Sequence, residues 1–306
     1  MKKALIALVV LAGCAQQPPA APEAAPAAKP PTSAEVLERS APGDWRELDP
    51  ENTIYLELAT GRVVIELAPE FAPSHVANIK ALAREKYFDG LFILRSQENY
   101  VVQWGDPEED PKKARPIRTA KDSVPGEFSR PAAGLAFTHL ADGDVYAAEV
   151  GHSGGFPAAR DPAAGQAWLT HCYAALGVSR GNTADSGSGA GLYVVIGHSP
   201  RHLDRNITLA GRVVKGMELL TVLPRGTGPL GFYEKPSQYV PIRRVRVAAD
   251  VPAGERTALE LLRTDTPTFA AWVDARRNRR EEWFLDQVGH VEVCNVPLPA
   301  RPVAVR

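Results

Sequence analysis

A mainly β fold is predicted by three features of this 306-residue chain. Short alternating runs rich in Val, Ile and Leu recur from Asn52 onward, separated by turns carrying Gly, Pro or Asp. Their order is strand, strand, helix, then more strands, unlike the alternating βα order of a parallel sheet. The pattern becomes helical only from Pro252, so residues 251–306 read as a helical extension.

In chain order, Asn52 to Leu67 reads as two strands around Ala59-Thr60-Gly61. Ser74 is placed to cap a helix whose apolar face is Val76, Ile79, Leu82 and Ala83, ending near Tyr87. Strands are expected at Leu91–Arg95 and Tyr100–Trp104, and residues 107–134 read as loop. Leu135–His139 and Val145–Val150 suit strands, and residues 151–166 a turn-rich excursion within a longer insertion at 140–175. Strong strands follow at Leu192–Ile196 and Ile207–Val214, then a short helix from Gly216 and a closing strand over Ile242–Ala248. In the extension, Leu259, Leu262, Phe269, Trp272 and Val273 lie at helical spacing.

The ends are not globular by composition. Lys2 and Lys3 precede an apolar stretch, Ala4 to Leu11, far shorter than the ~20 residues that span a bilayer. Residues 1–14 therefore read as an export signal. Leu11-Ala12-Gly13-Cys14 resembles a bacterial lipobox, which implies lipidation at Cys14; Ala15, where aspartate would signal retention at the inner membrane, points to the outer membrane. That places the protein in the periplasm on a lipid anchor. Residues 15–49 begin with an almost pure Pro/Ala run and read as a tether; its most biased part, 16–33, reaches roughly 50 Å at about 3.1 Å per residue.

Net charge is −1, with no strongly basic central stretch, which together with the export signal argues against nucleic acid as a partner. Arg276, Arg277, Arg279 and Arg280 are followed by Glu281 and Glu282 and read as a solvated helix face. With Cys14 assigned to lipid, Cys172 and Cys294 remain; an oxidising compartment permits one disulfide between them, and two buried thiols fit the sequence equally well.

The segment Phe88 to Pro107, FDGLFILRSQENYVVQWGDP, sets one cation, Arg95, among aromatic residues and the amide of Gln103. A guanidinium beside a small apolar pocket suits few reactions, and rotation of a prolyl peptide bond is one. The segment resembles the arginine-bearing strand pair of the cyclophilin family of peptidyl-prolyl isomerases. Ile93-Leu94-Arg95 stands where that family has Phe-His-Arg, and Tyr100-Val101-Val102-Gln103-Trp104-Gly105-Asp106 where it has Phe-Met-x-Gln-Gly-Gly-Asp, without a gap between the blocks. TIYLELATGRVVIEL resembles the family's opening hairpin, AGLYVVIGH its Ser-Gln-Phe-Phe-Ile strand, and HLDRNITLAGRVVKGMELL its Leu-Asp-x-x-x-x-x-Phe-Gly-x-Val segment.

The resemblance implies a closed antiparallel eight-stranded barrel with capping helices over residues 50–250. It implies catalysis by Arg95 and Gln103, a proline pocket lined by Tyr100, Val101, Tyr193, His202 and Leu203, and proline-containing polypeptides as clients, with no cofactor and no metal. The departures are Gly191 for the family's second glutamine, Ile207 for a pocket-wall histidine, and Ser179-Arg180 for an Ala-Asn pair. These substitutions favour a second reading, a module that binds proline-containing partners without turning them.

Two other motifs weigh less. Gly151-His152-Ser153-Gly154-Gly155 fits a nucleophile elbow, but Phe156-Pro157 is a poor helix start and the chain is not βαβ. His198 and His202 have zinc-like spacing, with His171-Cys172 as further donors, but Pro200 interrupts the pair. The Gly187–Gly191 loop lacks the Lys-Ser/Thr of a phosphate loop.

Overall fold

The computed structural model describes residues 29–108, 110 and 112–303. The export signal, the lipobox Cys14 and most of the Pro/Ala run lie outside the described residues. The described residues from 31 to 303 belong to one compact unit.

This unit opens with helix α1 (Ser33–Glu38), closed by a capping box from Thr32 to Glu35, and strand β1 (Trp45–Glu47). The hairpin read from the sequence is β2 (Thr53–Leu58) and β3 (Arg62–Leu67). Helix α2 (Pro73–Arg84) starts one residue before the expected cap, with Pro73 in its first turn. Its free N–H groups are met by Glu127 instead: Ser74 and His75 donate to the two carboxylate oxygens at 2.9 Å each. Burial opposes charge on Glu127, but these N–H groups outweigh it and hold the carboxyl below its usual pKa. The helix stops short of Tyr87 because Lys86 takes a left-handed backbone, φ 62°.

Then come β4 (Phe92–Ser96), β5 (Val101–Gly105), β6 (Arg130–Pro131), β7 (Thr138–Leu140), β8 (Glu149–Ser153), β9 (Phe156–Asp161) and β10 (Gln166–Leu169). They are followed by β11 (Ala175–Val178), β12 (Leu192–Val195), β13 (Leu209–Lys215), helix α3 (Met217–Thr221) and β14 (Val240–Val247). The chain ends in β15 (Leu259–Leu262), α4 (Pro267–Asn278) and β16 (Ala300–Pro302).

Eight strands close into an antiparallel barrel in the order β11-β12-β5-β4-β14-β2-β3-β13. Alternation sends Ile54, Leu56, Val63, Ile65, Ile93, Val102, Trp104, Leu192 and Val194 into its core, with Val76, Ile79 and Leu82 of α2 against it.

Three expectations about the additions are corrected. Residues 33–49 of the supposed tether are folded: α1 packs on α4, and β1 pairs with β15. The insertion is a five-stranded sheet, β6-β10-β9-β8-β7, beginning near Arg130 rather than at 140. Its turn-rich part is the β8–β9 hairpin, where Gly154 and Gly155 both take positive φ, 55° and 92°. The C-terminal extension is only partly helical; Leu259 to Leu262 is the central strand of a sheet ordered β1-β15-β16. Val36, Trp45, Val150, Trp168, Leu262, Phe269, Trp272 and Val293 share a second core. Entry segment, insertion and extension thus form one accessory layer, because none has apolar surface enough to fold alone. The Cys172–Cys294 disulfide ties it to the start of β11 across 122 residues.

Candidate active site

Arg95, Gln103 and Tyr193 lie in one row across three neighbouring strands. Arg95 pairs with Gln103 between β4 and β5, just after a bulge at Ile93/Arg95, and Gln103 pairs with Tyr193 between β5 and β12. Partners in register point to the same face, here the outside of the barrel.

The guanidinium is held by uncharged groups. Its Nη1 donates to Oε1 of Gln103 at 3.0 Å, its Nε to the Leu230 carbonyl at 2.7 Å, and its Nη2 to Oε1 of Gln97. The Tyr100 and Phe232 rings lie 5.5 and 5.2 Å from its central carbon. The acids nearest in sequence are engaged elsewhere: Asp89 accepts from the Val245 amide at 3.1 Å, and Glu98 pairs with Arg225 at 2.6 Å. Among the described residues, Arg95 has no carboxylate partner within 4.0 Å. Burial lowers its pKa, but arginine's high starting value keeps the group charged. Three of its five N–H donors are used, so two remain for a substrate.

Leu230, Phe232 and Gln97 were not singled out from the sequence. Residues 226–233 run along β4: Gly226 donates to the Ser96 carbonyl, Tyr233 to that of Leu94. Gly231 makes the fit possible. Its φ is 77°, and an added Cβ would sit 2.6 Å from the Gln97 backbone.

Tyr193 forms the apolar floor. Its ring lies over Gly177, its partner on β11, where an added Cβ would be 2.1 Å from the ring's Cζ. Burial drives the phenol pKa far up, so the hydroxyl keeps its proton. That hydroxyl meets Nε2 of His171 at 2.9 Å; Nδ1 of His171 meets Asp204 at 2.9 Å; Asp204 takes Nε of Arg201 at 2.6 Å; and Arg201 makes a bidentate pair with Asp144 at 2.9 Å. The Asp204 carboxylate accepts a hydrogen bond from Nδ1–H of His171, and the other ring nitrogen, Nε2, pairs with the Tyr193 hydroxyl. The hydroxyl is thus satisfied away from the ring face.

Val101 is buried in the same outer cluster as Tyr193, with Val195 and Leu209 of the barrel and Phe156, Ala158 and Leu169 of the inserted sheet. Tyr100, Leu135, Phe137 and Ile207 are half-buried at its edge. The insertion therefore shares this cluster with the barrel, which sequence order alone did not reveal. Leu203 is half-buried and His202 exposed on a short 3-10 turn, Arg201–Leu203, joined to the floor through Arg201 and Asp204. Of the substituted positions, Ser179 lies directly beneath Gly191, where a Cβ would be 3.3 Å from its own, and Arg180 is bonded to the Asn206 carbonyl.

The competing motifs are used otherwise. Ser153 is buried at the end of β8, and alternation turns it away from His152; burial, with Arg212 nearby, pushes His152 down to about 3. His171 is engaged by Asp204 and Tyr193, and Cys172 by Cys294. A cavity of about 300 Å³ lies between barrel and accessory layer, lined by Leu169, Met217, Val296 and Leu298 among others, away from Arg95.

The model of the cyclophilin type peptidyl-prolyl cis-trans isomerase family matches residues 53–247, the whole barrel and its insertion. This chain belongs to the cyclophilin family. A probable peptidyl-prolyl cis-trans isomerase of Brucella suis is 47% identical over 58 residues, and isomerase ppi1 of Schizosaccharomyces pombe 39% over 54. Those alignments cover 19% and 18% of this chain, and only 30% and 35% of the length of those relatives. The crystal structure of cyclophilin AquaCyp293 from Hirschia baltica matches with a TM-score of 0.68 at 26% identity, over 88% of this chain and 97% of that one. This match extends beyond the family segment, so that cyclophilin shares part of the accessory layer too.

Proposed function

We propose that this cyclophilin is a peptidyl-prolyl cis-trans isomerase. The observation that carries the reading is the Arg95 guanidinium, charged, without a carboxylate partner among the described residues, and held by Gln103 beside Tyr100 and the Tyr193 floor.

The barrier to rotation about an amide is ~18–20 kcal/mol, because nitrogen donates into the carbonyl. For X-Pro bonds the two isomers are close in energy, so rate is what needs help. A donor that meets the prolyl nitrogen as it pyramidalises, or holds the carbonyl oxygen of the twisted state, lowers that barrier. A ten-thousandfold gain needs about 5.5 kcal/mol. One charge-assisted hydrogen bond supplies ~1.5–3 kcal/mol. The remainder falls to desolvation in the apolar cluster and to distortion of the bound peptide.

The clients we infer are exported proteins with X-Pro bonds, met in the periplasm by a chain anchored through lipid at Cys14, on the outer membrane. Support for this comes from the signal-like start, the lipobox-like Leu11-Ala12-Gly13-Cys14, and a disulfide, which suits an oxidising compartment.

A second reading, a module that holds proline-containing segments without turning them, draws on the near-complete burial of Val101 and Tyr193, 2% and 5% exposed, and on Gly191 and Ile207. A protease-coupled isomerase assay on the full chain separates the two. The isomerase reading expects acceleration over the uncatalysed rate, lost in Arg95→Ala. No acceleration, with a proline peptide still bound, would leave the binding module.

A further inference from the structure

Among the described residues, three large apolar side chains stand exposed within one short segment. Trp283, Leu285 and Val288, just beyond the end of α4, are 83%, 102% and 74% exposed. Single exposed hydrophobics are ordinary, but three in one short segment mark a contact surface. The segment has a defined shape. Arg279 ends α4 in a left-handed conformation, the Phe284 amide closes a turn on the Glu281 carbonyl, and the Trp283 and Phe284 rings meet edge to face at 5.0 Å. Phe284 leans on Arg279, which leaves Trp283 outward.

What it faces follows from where the folded unit begins. Helix α1 packs on α4, and the Ser33 amide donates to the Glu281 carboxylate at 3.3 Å. The first residues of the unit therefore stand at the same corner as Trp283. The residues between Cys14 and this corner span about 60 Å as an extended polyproline segment at about 3.1 Å per residue. Tryptophan and leucine beside arginine are the side chains that settle at a bilayer's interface. Glu281, Glu282 and Asp286 offset the arginines of α4, so the attraction is apolar rather than electrostatic.

We propose that Trp283, Leu285 and Val288 form a membrane-contact edge that inserts into the interface of the bilayer carrying the lipidated N-terminus. The proposal rests on lipidation at Cys14, which supplies the high local concentration that a weak contact needs.

The chain's own tryptophans report on it. Trp45, Trp104, Trp168 and Trp272 are buried, and only Trp283 is open. Full-length lipidated protein is reconstituted into phosphatidylethanolamine/phosphatidylcholine vesicles whose acyl chains carry bromine near the headgroup. Flotation reads the anchor, and tryptophan quenching reads the edge. The expected result is quenching that disappears in Trp283→Phe, weakens in Leu285→Ser, and does not depend on added anionic lipid. Protein that floats without quenching overturns the edge and leaves the anchor standing; protein that does not float overturns both. Sedimentation in detergent supplies a third outcome: self-association abolished by Leu285→Ser would assign the patch to a second copy and also overturn the proposal.

Discussion

Tyr193 stands where the family strand carries phenylalanine, and its extra hydroxyl is tolerated because His171 takes it up. In His171→Leu the phenol is left buried without a partner, at a cost of about 1–3 kcal/mol. The isomerase account expects activity to fall as the ring leaves its place over Gly177, and to return when Tyr193→Phe is added. A thermodynamic and kinetic cycle over the four proteins checks this, and independent, additive effects would contradict it. His152 gives a separate expectation. The folded state keeps it neutral down to about 3, whereas the unfolded imidazole protonates near 6.5. Stability is therefore full above 6.5 and is lost as pH falls from there towards 3, by up to roughly 4–5 kcal/mol from this one group. The melting temperature of His152→Leu should fall less than that of the natural protein between pH 7 and pH 4. Parallel curves would show that His152 does not couple to folding. At this scale the sequence was informative about identity and silent about partners: Arg95 and Gln103 could be named from the gapless match, whereas the Leu230 carbonyl comes from a loop 135 residues away.

The elements show why some boundaries were legible and others not. β2, β3, β5 and β12 send alternate residues into the barrel core, and their apolar residues mark them in any reading. α2 was legible through its apolar face, but its N-terminal partner, Glu127, comes from a segment that reads as featureless loop. Leu259–Leu262 was read as helix because a short apolar run has no period of its own; only pairing with β1 and β16 decides it. β11 carries the sharpest constraint near the site. Gly177→Ala places a methyl into the Tyr193 ring, an overpacking that costs about 1–3 kcal/mol. The expected signature is a rise in KM larger than any fall in kcat, since the floor moves while Arg95 stays. An unchanged KM would mean that Tyr193 does not line the substrate pocket.

At the scale of the molecule, a barrel and an accessory layer meet along the outer cluster that includes Val101 and Tyr193. The barrel was legible through its order of strands. The layer was not, because its parts come from residues 33–47, 130–169 and 259–302, and no local pattern announces that they share a core. Asp142 bonds Arg277 and the Val291 amide, and Asp144 bonds Arg201, so charged contacts also bind insertion, extension and barrel together. Cutting the covalent link by Cys294→Ser restores chain freedom across 122 residues, worth ~4–5 kcal/mol in the chain-entropy description. Hydrogen exchange should then accelerate in α4 and β6–β10 well before the barrel strands; uniform acceleration would mean that the two layers open as one. Whether Arg95 acts on a bound peptide is read by exchange spectroscopy on a proline-containing peptide. With the natural protein present in catalytic amounts, cis and trans signals should interconvert. With folded Arg95→Ala the exchange should slow by about 10- to 150-fold, the loss of one charge-assisted hydrogen bond. Equal exchange rates for the two proteins would contradict the account.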